Sequence, residues 1–253
     1  MKVLYQFFGV LISIYLFVAA LLFVFQRNFL YFPSPKIEHG FETMHISVDN
    51  QTLEIVVLNR GERDAILYFG GNGESVVANA PDYAATFPNQ TVYLVNYRGY
   101  GGSSGTPTEK TIYADAQLVY DRTSSQHEKV SVIGRSLGSG VATQLASTRK
   151  IHKMVLITPY DAIQNIAQDQ YPMFPITFLL KDKFDSVSRI RNIESDTLIV
   201  IAEYDSVIPK KYSDRLIAEF PTNQVVVEVI KGAGHNNLST SDSYYERLHN
   251  FFM

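Results

Sequence analysis

The chain contains no cysteine and no tryptophan. Without cysteine there is no disulfide, no thiolate metal site and no cysteine nucleophile. A domain of this size can be stable without such staples. Excess positive charge is also missing: 22 Lys and Arg stand against 25 Asp and Glu, for a formal net charge of -3. No basic face points to nucleic acid. Internal repeats, low-complexity tracts and long charge runs are absent. Neither G-x-G-x-x-G nor the Walker A lysine pattern occurs, which argues against a phosphate-binding loop. Nor does any clustered spacing of His, Asp and Glu suggest a metal site, so neither a metal nor a cofactor is expected.

Charge is also missing from one long run. Residues 3–25 carry no charged side chain and are dense in Leu, Ile, Val and Phe. A bilayer core about 30 Å thick needs about 20 apolar residues in a helix, so this run is long enough to span it. A cleaved signal peptide is the competing reading, because Lys2 resembles its basic start. Such a peptide has an apolar core of only about 7–15 residues before a small-residue cleavage site. Here Ala19 and Ala20 are followed without a break by Leu21, Leu22, Phe23, Val24 and Phe25. The expectation is therefore an uncleaved transmembrane signal-anchor over residues 1–27, ahead of a cleaved peptide and well ahead of a buried core helix. Lys2 lies on one side of the run, Arg27 and Lys36 on the other, so the positive-inside rule comes close to a tie. A very short basic start before a long apolar run favours a cytoplasmic N-terminus and an extracytoplasmic remainder. Phe32-Pro33-Ser34-Pro35 makes a stiff exit, since proline fixes its own backbone and biases the residue before it.

Residues 28–253 are expected to form a single domain. Short apolar runs at 44–48, 53–58, 65–69, 91–96, 130–133, 154–158, 198–202 and 225–230 read as eight strands. The middle ones are continuously rich in Val, Ile and Leu, as in parallel strands covered on both faces. Helices are expected at 75–86, 108–120, 137–148, 209–220 and 242–252, with Pro209 at a first helical position. Alternation of strand and helix implies a mostly parallel, doubly wound α/β sheet with helices on both faces. Ligands in such sheets bind at the carboxyl ends of the strands, so functional residues should fall just after strands.

Gly134-Arg135-Ser136-Leu137-Gly138 matches G-x-S-x-G. So does Gly101-Gly102-Ser103-Ser104-Gly105, which shows how weak the pattern is alone. Context separates them. The run 130–133 leads directly into Gly134 and a helix follows Ser136 at once, giving the strand, sharp turn and helix of a nucleophile elbow. Ser103 instead lies in a glycine-rich loop, cut off from the next helix by Thr106-Pro107, and reads as a loop residue beside the site. A serine hydroxyl needs a base to take its proton, and histidine titrates near neutrality. Of six histidines, His235 alone sits in a glycine-rich loop just past a strand, Gly232-Ala233-Gly234-His235. His39, His45, His127, His152 and His249 lack that setting. The base in turn needs an acid to fix its tautomer. Asp205 follows the run 198–202, with Glu203 its nearest rival and Asp182 and Asp185 more distant ones. The order Ser136, Asp205, His235, each after a strand, is stronger than any one motif. An oxyanion would need two preorganised donors. The backbone N–H groups of Leu137 and of Asn72, in Gly70-Gly71-Asn72-Gly73 after the third strand, are the candidates.

These residues resemble the alpha/beta-hydrolase superfamily, and more closely its single-pass, membrane-anchored esterase-like branch. The resemblance includes the anchor followed by Phe29-Leu30-Tyr31-Phe32-Pro33, the Gly71-Asn72 loop, Asn96-Tyr97-Arg98-Gly99-Tyr100-Gly101, the elbow at Ser136, Asp205 and Gly234-His235. It implies an alpha/beta-hydrolase fold and hydrolysis of a small-molecule or lipid acyl ester or thioester through an acyl-enzyme. A peptidase or amidase on the same three residues, and a non-catalytic scaffold, remain as alternatives. One departure stands out: relatives often carry His-Gly before the oxyanion Asn, where this chain has Gly70-Gly71. Backbone donation from Asn72 survives that change, and the support of the loop is expected to differ. The family loop at Arg98–Ser103 reads as structural packing beside the site. Residues 159–190 occupy the place of a cap but are too few for a large lid. They carry Tyr160, Tyr171, Phe174, Phe178, Leu179 and Leu180, and are expected to wall an acyl pocket facing the membrane, with Tyr160, Phe174 and Phe178 touching substrate. Ordinary core packing is the equal alternative for this segment.

Overall fold

The computed structural model describes the backbone of residues 1–253 and every side chain except that of Asp242. A single long helix, α1 (Lys2–Leu30), comes first. Residues 2–14 are exposed on every side, as a helix with no polar face is when nothing packs on it. Beyond them Tyr15, Ala19, Leu22, Gln26 and Leu30 are partly or fully buried. Steps of three and four residues place these five on one face, and that face docks on the rest of the chain.

Two strands, β1 (Glu42–Val48) and β2 (Gln51–Leu58), form an antiparallel hairpin. Asp49 and Asn50 make its two-residue turn with φ of 49° and 57°, the left-handed pair that matches strand twist and suits Asp and Asn. The chain then alternates: β3 (Asp64–Phe69), α2 (Ala80–Thr86), β4 (Gln90–Val95), α3 (Glu109–Thr123), β5 (Val130–Arg135), α4 (Leu137–Ala146) and β6 (Lys153–Ile157). Two short helices, α5 (Ile163–Gln170) and α6 (Ile176–Leu179), interrupt the pattern before β7 (Asp196–Ala202), α7 (Lys210–Ile217), β8 (Val225–Ile230) and α8 (Asp242–Phe252). The strands form one sheet in the order β1-β2-β4-β3-β5-β6-β7-β8. From β4 to β8 all pairs are parallel; β2 pairs antiparallel with both β1 and β4.

Strand period two splits the core. Leu67, Val132 and Leu156 pack on one face with Leu145 and Leu216; Tyr68, Ile133 and Ile157 pack on the other with Tyr83, Phe87 and Leu248. Each such side chain contributes about 1.5–3 kcal/mol by leaving water. The two edge strands are the exceptions: β8 exposes Val226, Val227 and Val229, and β1 buries only Ile46.

All eight expected strands are present, and two helices differ from expectation. The helix expected at 75–86 divides into a 3-10 turn (Val76–Asn79) and α2. Pro81 cannot donate to a carbonyl four residues back, so a continuous helix fails there and restarts with Pro in its first turn. Pro209 caps α7 in extended geometry (ψ 138°) instead of opening it.

The strand order of the sheet fixes where the chemistry sits. β4 and β5 flank β3 on opposite sides, so the order reverses there. Phe69 pairs with Gly134 at the carboxyl end of both strands. The loop after β3 and the turn after β5 therefore lie side by side, where ligands bind in open α/β sheets.

Candidate active site

Ser136 occupies the turn between β5 and α4 with φ 49° and ψ -115°, a strained backbone for a residue with a side chain. Two glycines make that turn possible. A methyl group on Gly138 would lie 2.0 Å from the Phe69 carbonyl oxygen, and one on Gly134 would lie 2.3 Å from the Gly138 carbonyl oxygen. The Ser136 N–H donates to the Ile157 carbonyl at 2.8 Å, which pins the elbow to β6.

His235 and Asp205 come to Ser136 from the ends of β8 and β7. The His235 imidazole lies 3.0 Å through Nε2 from Ser136 Oγ and 2.8 Å through Nδ1 from Asp205 Oδ2. A carboxylate at 205 can only accept, so Nδ1–H donates to it and Nε2 is left to accept the serine proton. The second oxygen of Asp205 accepts the Val207 and Ile208 N–H groups at 2.9 and 2.7 Å, which fixes the carboxylate on its loop. Ser136 and His235 are both buried.

The rivals hold other posts. Ser103 Oγ donates to the Asn96 carbonyl and accepts the Glu54 N–H, which ties its loop to β2. Glu203 accepts the Gly232 N–H at 2.7 Å and so braces the loop that carries His235. Asp182 pairs with Arg27, and Asp185 accepts the Ser188 N–H. His127 bonds to Tyr93 and the Glu62 carbonyl, and His249 to the Thr86 carbonyl.

The oxyanion candidates border the serine. Asn72 and Leu137 line the same cavity as Ser136. Among the described residues, the backbone N–H of neither donates to a protein acceptor, which leaves both free for a ligand oxygen. The Asn72 side chain is occupied elsewhere. Its Oδ1 accepts from the Phe32 N–H and the Tyr100 hydroxyl, and its Nδ2 donates to the Leu30 carbonyl at 2.7 Å. The loop at Arg98–Ser103 thus supports the site from behind, with Arg98 buried in a two-pronged pair with Asp115.

Support for Gly70-Gly71 comes from Glu74 and Arg135, which sequence reasoning missed. Glu74 accepts the Gly71 N–H at 2.6 Å, the Arg135 guanidinium at 2.8 Å and the Tyr68 hydroxyl. Arg135 also donates to the His235 carbonyl at 3.1 Å. Burial alone would lower the Arg135 pKa; the adjacent Glu74 carboxylate outweighs it, and the guanidinium is held above its ordinary range. One ion pair therefore joins the loop after β3, the elbow and the histidine loop. The signal lay in the sequence, as an arginine inside the elbow motif and a glutamate directly after the glycine loop.

Above Ser136 opens a cavity of about 300 Å³ lined mostly by apolar side chains. Residues 159–190 supply much of its wall, including Tyr160, Ile163, Tyr171 and Leu179. Tyr160 is fully buried and its hydroxyl donates to the Leu137 carbonyl at 3.2 Å; burial raises its pKa well above the ordinary range, so it stays a donor. Phe174 and Phe178 correct the expectation made for them. Phe178 is 86% exposed, because the single turn of α6 directs Ile176 and Leu179 to the cavity and leaves Phe178 outside. Phe174 stacks on Tyr15 of α1, ring centroids 5.0 Å apart. In their place α1 contributes Leu22, Gln26, Phe29 and Leu30 to the lining, a wall that sequence reasoning did not anticipate. No group of three or more His, Cys, Asp or Glu side chains able to hold a metal occurs among the described residues.

Comparison with known proteins agrees with this architecture. The family model for the alpha/beta hydrolase fold matches residues 64–190. An uncharacterized protein of Mycobacterium tuberculosis is 31% identical over 232 residues, 84% of this chain and 81% of that one. Alpha/beta hydrolase domain-containing protein 17B of Homo sapiens is 31% identical over 169 residues, 64% of this chain and 56% of that protein. Among solved structures, the Pyrococcus furiosus esterase Pf2001 superposes with a TM-score of 0.67 at 18% identity, covering 87% of this chain and 98% of that one. A serine hydrolase from the bacterium Cycloclasticus zankles gives 0.64 at 18% identity, covering 84% and 98%.

Proposed function

The chain belongs to the alpha/beta hydrolase family, and from that premise we propose that it is a serine hydrolase of acyl esters or thioesters, held at a membrane by α1. The observation behind this reading is the relay Ser136–His235–Asp205, spaced at 3.0 and 2.8 Å, whose serine lines an apolar cavity. Residues 1–27 serve as the anchor and 28–253 as the catalytic domain, on the extracytoplasmic side. Residues 159–190 act as a short cap.

The geometry supports the following steps. His235 Nε2 takes the hydroxyl proton as Ser136 Oγ attacks the acyl carbonyl carbon, and the carbonyl π bond opens to an oxyanion. The N–H groups of Leu137 and Asn72 stabilise that charge. Asp205 holds the imidazole in the right tautomer and offsets the imidazolium charge. Collapse re-forms the carbonyl and breaks the bond to the leaving oxygen or sulfur, which takes the proton from His235; the acyl group stays on Ser136. A water, deprotonated by His235, then attacks the acyl-enzyme. The second collapse returns the proton to Ser136 Oγ and frees the carboxylic acid. The apolar lining supports an acyl chain as occupant over a peptide.

Activity profiling tests this reading. The full chain, with Ser136→Ala beside it, is assayed against esters and thioesters of increasing acyl length and against peptide amides, and is exposed to a fluorophosphonate probe. Probe labelling and ester or thioester turnover, both lost in Ser136→Ala, are expected. Preference for amides would move the assignment to a peptidase, and a folded chain that neither labels nor turns over any substrate would point to a scaffold.

A further inference from the structure

The anchor and the active site share residues. Leu22, Gln26, Phe29 and Leu30 of α1 line the same cavity as Ser136 and Leu137. The docking that puts them there is specific. Gln26 of α1 is buried; its Nε2 donates to the Leu179 carbonyl at 3.1 Å and its Oε1 accepts the Lys181 N–H at 2.6 Å. Arg27 pairs with the buried Asp182 at 2.8 Å. The Tyr15 hydroxyl donates to the Met173 carbonyl at 2.9 Å while its ring stacks on Phe174. At the far end, Asn72 holds the Leu30 carbonyl and the Phe32 N–H. Polar groups at membrane depth belong where protein satisfies them, and each of these is satisfied.

Helix length then sets the depth. Residues 2–14 are exposed and rise about 20 Å at about 1.5 Å per residue. A hydrocarbon core is about 30 Å thick. A spanning α1 must therefore place its next turns, with Tyr15, Ala19 and Leu22, in hydrocarbon as well. Those turns carry the cap segment with them. Met173, bonded to Tyr15, and Phe178 of the same segment are apolar and 77% and 86% exposed. The cavity begins at this level with Leu22; Tyr171 and, about 10 Å further along the helix, Phe29 also line it and are exposed. An acyl chain can pass from bilayer to cavity without crossing water, and each methylene spared that crossing avoids a hydrophobic penalty.

We propose that α1 is a wall of the acyl-binding site, and that the substrate is an acyl ester of a bilayer lipid whose chain enters along the Leu22–Phe29 face. This deepens the hydrolase reading above and rests on it.

The test uses the full chain in phospholipid nanodiscs and p-nitrophenyl esters from butyrate to hexadecanoate, with Ser136→Ala as blank. Leu22→Trp fills the wall and should lower the ratio of kcat/KM for dodecanoate to that for butyrate at least tenfold. Leu22→Ala enlarges it and should move the preferred chain length up by two carbons or more, which keeps the proposal open to refutation should the Trp variant fold poorly. Val24→Trp, at a 64% exposed position off the docked face, should leave the ratio within twofold. The wall assignment falls if both Leu22 variants keep the wild-type profile, or if Val24→Trp shifts it as far as Leu22→Trp does. In either case Ser136-dependent turnover would still stand. If no ester is turned over in a Ser136-dependent way, the hydrolase reading falls and the wall assignment with it.

Discussion

On one side of Ser136 stand groups carried by strand ends: His235 after β8, Asp205 after β7, and the Gly70–Gly73 loop after β3. On the other stands a wall assembled from α1 and residues 159–190. The first side is held by short polar links, nearly all within loops that open directly from the sheet. The second joins residues about 150 positions apart in sequence, Gln26 to Leu179 and Tyr15 to Met173. Under the proposed function the molecule divides its work along this line. Chemistry belongs to the loops of the rigid sheet, where a shift of a fraction of an ångström would misplace a proton. Selection of the acyl group belongs to packed apolar surfaces that tolerate change of size.

Substitutions on the two sides should differ accordingly, and the largest effects belong to the polar side. Ser136→Ala and His235→Ala should each lower kcat about 10⁴-fold or more, with Asp205→Asn close behind, while thermal melts followed by circular dichroism stay within a few degrees of wild type. A comparable loss from any single cap substitution would erase the contrast. Gly138→Ala should act on folding instead, since its methyl would meet the Phe69 carbonyl oxygen at 2.0 Å. Urea denaturation should show about 3 kcal/mol of lost stability, through overpacking against backbone that cannot yield. Arg135→Gln comes next. It leaves the largely buried Glu74 carboxylate without its guanidinium, at a cost of about 3 kcal/mol or somewhat less given partial exposure. It should also depress kcat, because both the histidine loop and the glycine loop lose an anchor; unchanged kcat would separate this ion pair from the site. Smallest in its effect on activity is Ser103→Ala in the second G-x-S-x-G. It forfeits two buried hydrogen bonds, at about 1–3 kcal/mol for each buried group left unpaired, and should leave fluorophosphonate labelling intact.

Legibility in the sequence follows the same divide. The strands showed as apolar runs because parallel strands are covered on both faces, and Ser136, Asp205 and His235 showed because each lies just past a run. Ser103 could be set aside on local context, and the structure gives it a loop role. The cap side was harder to read. Residues 159–190 were marked by position and by aromatic content, and Tyr160 does line the cavity. Phe174 and Phe178 do not, because which side of a one-turn helix faces inward depends on what packs against it. The wall from α1 was illegible for a stronger reason. Hydropathy reports that a helix can lie in a membrane, and it is silent on whether one stripe of that helix also packs on protein. Gln26, one polar residue near the end of an apolar run, was the available hint.

Mass spectrometry of the enzyme caught in turnover puts the nucleophile itself to the test. The full chain is mixed with a p-nitrophenyl ester, quenched in acid during the first turnovers and digested. The peptide containing Ser136 should gain the mass of one acyl group, and the gain should disappear in Ser136→Ala. Acylation of Ser103 or of any other residue in its place, or continued ester turnover by Ser136→Ala, would contradict the assignment of Ser136 as nucleophile.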